Sequence, residues 1–139
     1  MNEALREAQK AFEEDEVPVG AVIVSKNTII ARSHNLTETL CDVTAHAEIL
    51  AITSAENYLG NKYLNDCTLY VTLEPCLMCA GATHWAQLGR LVTSAADPKA
   101  GYSLIGGSIL HPATEVVTGV LDGISSEMLK DFFKGKRGK

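Results

Sequence analysis

Cys67-Thr68-Leu69-Tyr70-Val71-Thr72 runs without a spacer into Leu73-Glu74-Pro75-Cys76-Leu77-Met78-Cys79. The first six residues read as a strand, and the next seven place two thiols three residues apart, on one face of a helix. A strand that hands the chain directly to a helix is the building unit of an α/β domain. Thirty residues upstream of Cys76, Thr44-Ala45-His46-Ala47-Glu48 supplies an imidazole and a carboxylate two residues apart. At that spacing two side chains diverge inside a helix and converge only at its end. The expectation is that His46 lies in the first turn of one helix, capped at Thr44, and Cys76 in the first turn of another, with Pro75 at the first helical position and the two N-termini facing each other.

His46, Cys76 and Cys79 then form a candidate zinc site. Structural zinc closes its tetrahedron with four protein ligands, whereas catalytic zinc keeps three and leaves the fourth position to water. A structural reading would recruit Cys41 or Cys67, and neither stands at ligand spacing from the others. Glu48 is left as a carboxylate beside the metal, placed to move a proton. Residue types and spacing alone reach as far as hydrolytic zinc chemistry.

Around this centre the chain reads as a single domain over residues 1–139. A helix spans residues 2–14, with Leu5, Ala8 and Phe12 at helical spacing. A strand over residues 17–24 and another over 28–33 form a hairpin about Lys26-Asn27. Further elements are a helix over residues 45–57 closed by Gly60, strands at 67–72, 90–94 and 114–120, a helix over 76–87 and a last one over 125–134 capped by Ser125 or Ser126. Residues 95–112, with Gly101, Gly106 and Gly107, form a long loop of the kind that is functional or mobile. The sum is an α/β fold of three layers, α/β/α, around a mixed sheet of about five strands.

The net charge is −5, which argues against non-specific nucleic-acid binding by the whole surface. It is unevenly spread. Residues 1–16 carry six acids and two bases, while Lys130, Lys134, Lys136, Arg137 and Lys139 form a basic end against Asp131 alone. That end is either a solvated helix terminus or a phosphate-contacting patch. No secretory signal pattern or membrane-length apolar run is present, so a cytoplasmic location is expected, with Cys41 and Cys67 as free thiols. Trp85, Phe132 and Phe133 are expected in the core or at a subunit contact.

In their order, Pro18-Val19-Gly20-Ala21-Val22, Thr44-Ala45-His46-Ala47-Glu48, Thr72 through Ala82 with its Pro-Cys-Leu-Met-Cys core, and Asp97-Pro98-Lys99 closely resemble the bacterial tRNA-specific adenosine deaminases, within the zinc-dependent cytidine and deoxycytidylate deaminase family. The resemblance covers residues 4–137. It departs at Thr83-His84-Trp85-Ala86-Gln87, at Thr93-Ser94-Ala95 and over residues 102–107. It implies a cytidine-deaminase-like fold, a homodimer, one Zn2+ per subunit, and hydrolytic conversion of the wobble adenosine, anticodon position 34, to inosine. Its implied partner is the tRNA anticodon stem-loop, and it involves no membrane. By the same correspondence Glu48 moves the proton, Asn35 bonds the target base, the Ala47 amide faces it, and Val19 forms an apolar wall. Asp97 and Lys99 face the nucleic acid, and His111, beside the long loop, is a candidate contact to phosphate or base. Two other readings remain open: a deaminase of free bases or nucleosides such as guanine, cytosine or cytidine, and an idle zinc module that binds RNA or a partner.

Overall fold

The computed structural model describes residues 1–105 and 108–137; Gly106, Gly107 and Lys139, named above for the loop and the basic end, lie outside them. Its elements are α1 (Asn2–Glu13), β1 (Gly20–Ser25), β2 (Thr28–His34), α2 (Ala47–Leu59), β3 (Cys67–Leu73), α3 (Leu77–Trp85), β4 (Arg90–Ala95), a 3-10 turn (Tyr102–Leu104), β5 (Glu115–Val117) and α4 (Asp122–Arg137). The sheet order is β2-β1-β3-β4-β5. β1 runs antiparallel to both β2 and β3, and β3, β4 and β5 run parallel. This is the mixed five-stranded sheet expected.

The hairpin forms because Lys26 and Asn27 both take left-handed backbone (φ 50 and 61), matching the right-handed twist of the strands they join. Alternation then assigns the layers. Ala21, Ile23, Leu69, Val71 and Leu91 point to the face covered by α2, where Ala47, Ala51 and Ala55 form a fully buried stripe that lets the helix lie close. On the opposite face α1 packs across β1 and α4 across β4. Contact with α1 is closest at Gly20, where a Cβ would stand 2.0 Å from the Ala4 carbonyl oxygen. Phe12 meets Phe132 edge to face at 5.8 Å, and Ser94 Oγ bonds Ser125 Oγ at 2.7 Å, fixing α4 to α1 and β4.

Several boundaries differ from expectation. Residues 17–19 are outside β1, because Pro18 cannot donate to a ladder. β5 is only three residues long. The last helix begins at Asp122, so Ser125 is no cap; its hydroxyl donates back to the Asp122 carbonyl inside the helix. Cys67 opens β3 and is buried there, away from the other thiols. Trp85 is 80% exposed and is not a core residue, whereas Phe132 is buried.

Candidate metal centre and nucleobase cavity

β3 and β4 end side by side, and the loops leaving them, together with the N-terminus of α2, enclose a cavity of about 260 Å³. His46 is the N-cap of α2 (φ −73, ψ 150) and Cys76 the N-cap of α3 (φ −74, ψ 177). The sequence suggested that both lie within the first turn; each instead stands just outside its helix, as the cap. Thr44 is therefore no cap; its N–H and hydroxyl both donate to Asp42 Oδ1. Pro75 is not at the first helical position either. It lies outside α3, fully buried, with its carbonyl accepting the Tyr102 N–H. Extended backbone at an N-cap swings a side chain across the helix end, which is why His46 and Cys76 converge without being helical.

His46 Nδ1 stands 3.7 Å from Cys76 Sγ and 3.5 Å from Cys79 Sγ, and the three ligand atoms all lie within 4.8 Å of one another. A tetrahedral ion with Zn–S of about 2.3 Å and Zn–N of about 2.0 Å needs sulfur-to-nitrogen edges of about 3.6 Å. The donor set fits zinc in kind and in spacing. Among the described residues no fourth His, Cys, Asp or Glu joins the group. Cys41 is exposed and Cys67 is buried elsewhere.

The electrostatics follow from the helix ends and from burial. The shared hydrogen bond with Cys79 brings the Cys76 thiol down to about 5, against burial and with help from the Cys79 and Met78 amides and from His46. Cys79 is pushed the other way, first by Cys76, then by burial and by Glu48. Glu48, in the first turn of α2 and 4% exposed, lines the cavity beside His46 and Cys76. Burial pushes its carboxyl up to about 7, partly offset by its own amide and by His46.

Of the other sequence-based candidates, Asn35, Val19 and Asp97 line this cavity. Asn35 is buried and donates its N–H to the Val19 carbonyl at 3.1 Å. Ala47 is fully buried at the start of α2, its carbonyl accepting the Ser33 hydroxyl. Asp97 also accepts from the Lys99 and Ala100 amides, closing the loop turn. Lys99 lines a second, larger groove. His111 lies apart from both cavities, its ring edge to face with His84 at 5.7 Å and its Nδ1 accepting the Ala113 N–H. His84 Nδ1 meets the Ile109 carbonyl.

Sequence reasoning missed Thr37, which lines the cavity, and two buried carboxylates at its rim. Glu16, fully buried, accepts from the Glu38 and Thr39 amides at 3.1 and 2.7 Å and from the Thr39 hydroxyl at 2.7 Å. Glu74 accepts from the Asp97 amide at 3.1 Å and the Ser103 amide at 2.9 Å. For each, burial alone would raise the carboxyl, but the hydrogen bonds outweigh it and hold the group below the usual carboxylate range. Glu16 looks in the sequence like the end of an acidic run; its one signal is its place directly before an apolar strand.

The second groove, about 940 Å³, runs from this mouth along α4. It shares Val17, Leu73, Asp97 and Ala100 with the inner cavity and adds Lys99, Lys130, Lys136 and Arg137 over an apolar floor of Leu129 and Phe133. Lys136 Nζ is also 2.7 Å from Asp15 Oδ2.

Comparison with known proteins gives a consistent result. The family model described as MafB19-like deaminase matches residues 1–137. A tRNA-specific adenosine deaminase of Agrobacterium fabrum is 46% identical, over 99% of this chain and 93% of the relative. A solved structure from studies of A-to-I editing by tRNA:A34 deaminases at the wobble position superimposes with a TM-score of 0.87 at 46% identity, covering 93% of this chain and 97% of the other. A structure of guanine deaminase from Nitrosomonas europaea follows at a TM-score of 0.78 and 25% identity, covering 93% and 80%.

Proposed function

The chain belongs to the tRNA-specific adenosine deaminase family and has its cytidine-deaminase-like fold, and from that premise we propose that it deaminates the wobble adenosine of a tRNA anticodon stem-loop to inosine. The observation that carries the chemistry is the convergence of one imidazole and two sulfurs at tetrahedral spacing, with the Glu48 carboxylate on the same cavity wall. Zinc bound by His46, Cys76 and Cys79 would supply the Lewis acidity that makes water nucleophilic near neutral pH. Glu48 would take one proton from the attacking water and hand it to the adenine ring nitrogen, then take the second from the new C6 hydroxyl and pass it to the amino group, which leaves as ammonia while the C6 carbonyl forms. Asn35, whose amide both donates and accepts, would hold the base edge. Val19 would press on its face, and the Ala47 N–H, free of an intrahelical partner in the first turn of α2, would meet it from the helix side.

A polymeric substrate is favoured by the groove that leaves the inner cavity. At about 260 Å³ that cavity lies just below the range of drug-sized small-molecule sites, about 300–1,000 Å³, and takes one flipped base. The groove along α4 offers Lys99, Lys130, Lys136 and Arg137 to the flanking phosphates, which reconciles a basic tract with a net charge of −5. A free-base deaminase would need the cavity and not the groove. The exposed apolar side chains of α2 and α3, Tyr58, Leu59, Leu77, Met78 and Trp85, fit a second copy of the chain, which we place there in a homodimer. No helix among the described residues is long and apolar enough to cross a membrane, and we assign the protein to the cytoplasm, where tRNA is its substrate.

The test incubates purified, metal-replete protein with a stem-loop carrying adenosine at the wobble position and, separately, with free adenine, guanine and cytosine compounds. Inosine in the stem-loop is expected. Ammonia from a free base with none from the stem-loop would transfer the function to the free-base reading. Sedimentation of the same sample tests the dimer.

A further inference from the structure

We infer that Glu16 is a positioning residue for the deamination site: its buried carboxylate ties residues 37–39 to the end of α1 and thereby sets the part of the cavity wall formed by Thr37. The inference rests on the deaminase reading above and concerns how its substrate is held.

The chain reverses sharply just before Glu16. Asp15 takes left-handed backbone (φ 62), and the Glu16 N–H donates to the Ala11 carbonyl at 2.9 Å, fixing the residue to α1. That reversal turns one acid of the run at residues 13–16 inward, to zero exposure. No cation meets it. It accepts instead from the Glu38 and Thr39 amides and the Thr39 hydroxyl, with a smaller contribution from the Thr37 side chain.

The loop that supplies these donors has little else to hold it. Glu38, Thr39, Leu40 and Cys41 are all exposed. Its other backbone bonds run within residues 36–45, from Leu36 to Ala45 at its base and from Leu40 to Leu36, Cys41 to Glu38, Asp42 to Thr37 and Ala45 to Asp42. They shape the loop without locating it. Glu16 locates it, because one planar group accepts three donors at once and is itself fixed by its backbone. The next residues along the chain, Val17 and Val19, line the same cavity, Val19 beside Asn35, whose N–H its carbonyl accepts. That bond already ties Asn35 to Val19, so what Glu16 sets is the place of Thr37 and the residues after it on that wall, while the metal ligands and Glu48 stand at the N-termini of α2 and α3. An apolar side chain would fill the same space and leave the loop's amides without acceptors.

Two substitutions test this. Glu16→Gln keeps the shape but turns an amide N–H towards donors. Thr39→Val removes one donor from an exposed position, where loss of the fold is not at issue. On the wobble-adenosine stem-loop, Glu16→Gln is expected to raise KM about tenfold with kcat within about twofold, and Thr39→Val to raise KM about threefold. The double variant should show no more than Glu16→Gln alone, because both act through one contact. Zinc per chain should stay unchanged, and exchange of the Glu38 and Thr39 amides should quicken while that of α2 does not. A KM unmoved in both variants, or a fall in kcat and zinc content with KM constant, overturns the positioning role. If the wild-type chain leaves the stem-loop unaltered, the substrate reading has failed by itself. Amide exchange then decides about Glu16, and equal rates at Glu38 and Thr39 in wild type and Glu16→Gln overturn it.

Discussion

The floor of the cavity and its rim are held by different means. On the floor, His46 and Cys76 cap two helices that pack on the sheet, and Glu48 and Cys79 lie in their first turns. Their atoms are placed by backbone hydrogen bonding and by close-packed alanines. At the rim, Thr37 and Asp97 belong to loops without a core of their own. Each loop is secured by one buried carboxylate, Glu16 on one side and Glu74 on the other. Helix ends give the fixed geometry that bond-making needs. Loops tied by a few charge-assisted bonds give a mouth whose shape can change without disturbing that geometry. Chemistry and substrate grip should therefore be separable by mutation.

The largest effect is expected from the floor. Cys76→Ala leaves two ligands where zinc needs three from the protein, so metal, turnover and stability should fall together; elemental analysis and thermal unfolding with and without chelator measure all three. Glu48→Ala should be cleaner. Turnover is expected to drop by about 10²- to 10⁴-fold while zinc content and melting temperature hold. Normal activity in that variant would remove Glu48 from the mechanism, and parallel loss of metal would make it part of the metal's support.

The same division explains what could be read in the sequence. The floor was legible because zinc chemistry demands particular residue types at particular separations, and His46, Glu48, Cys76 and Cys79 meet that demand within two short segments. The five strands were legible as β-branched runs between breakers. Details at helix ends were not. Pro75 suits a first helical position in general, yet here α3 starts two residues later because Cys76 must keep extended backbone to face His46. Trp85 looks like a core residue by type and is exposed by position. The rim was hidden for a different reason: Glu16 and Glu74 act on partners 22 to 29 residues away through main-chain N–H groups, and any residue except proline can supply such a donor. Nothing in the composition of residues 37–39 or 97–103 marks them as recipients.

A rim substitution should show the opposite signature from Glu48→Ala. At Gly101 an added Cβ would stand 2.4 Å from the Glu74 carboxylate. That carboxylate is a side-chain tip, but its bonds to Asp97 and Ser103 leave it little freedom to move aside. Gly101→Ala should push the loop outward at a stability cost of about 1–3 kcal/mol. KM for the stem-loop should rise more than kcat falls, with zinc retained. A fall in kcat as deep as that of Glu48→Ala would merge rim and floor into one unit.

The smallest effect is a matter of acid stability. Glu16 is held below its ordinary value of 4.5 by the amides and hydroxyl it accepts from, against the opposing pull of burial. A carboxyl whose folded value lies below its unfolded one contributes stability that is fully present above the unfolded value. That stability is lost as pH falls through the folded one. Wild-type unfolding free energy, followed by urea denaturation, should therefore decline as pH drops below about 4.5. Gln at position 16 cannot take up the proton, so Glu16→Gln should start from lower stability at neutral pH and decline less steeply over the same interval. The two curves should converge towards the acid end. Parallel curves would mean that Glu16 titrates alike in the folded and the unfolded chain, so that its carboxylate gains nothing from the amides of residues 38 and 39, and its anchoring role would fall.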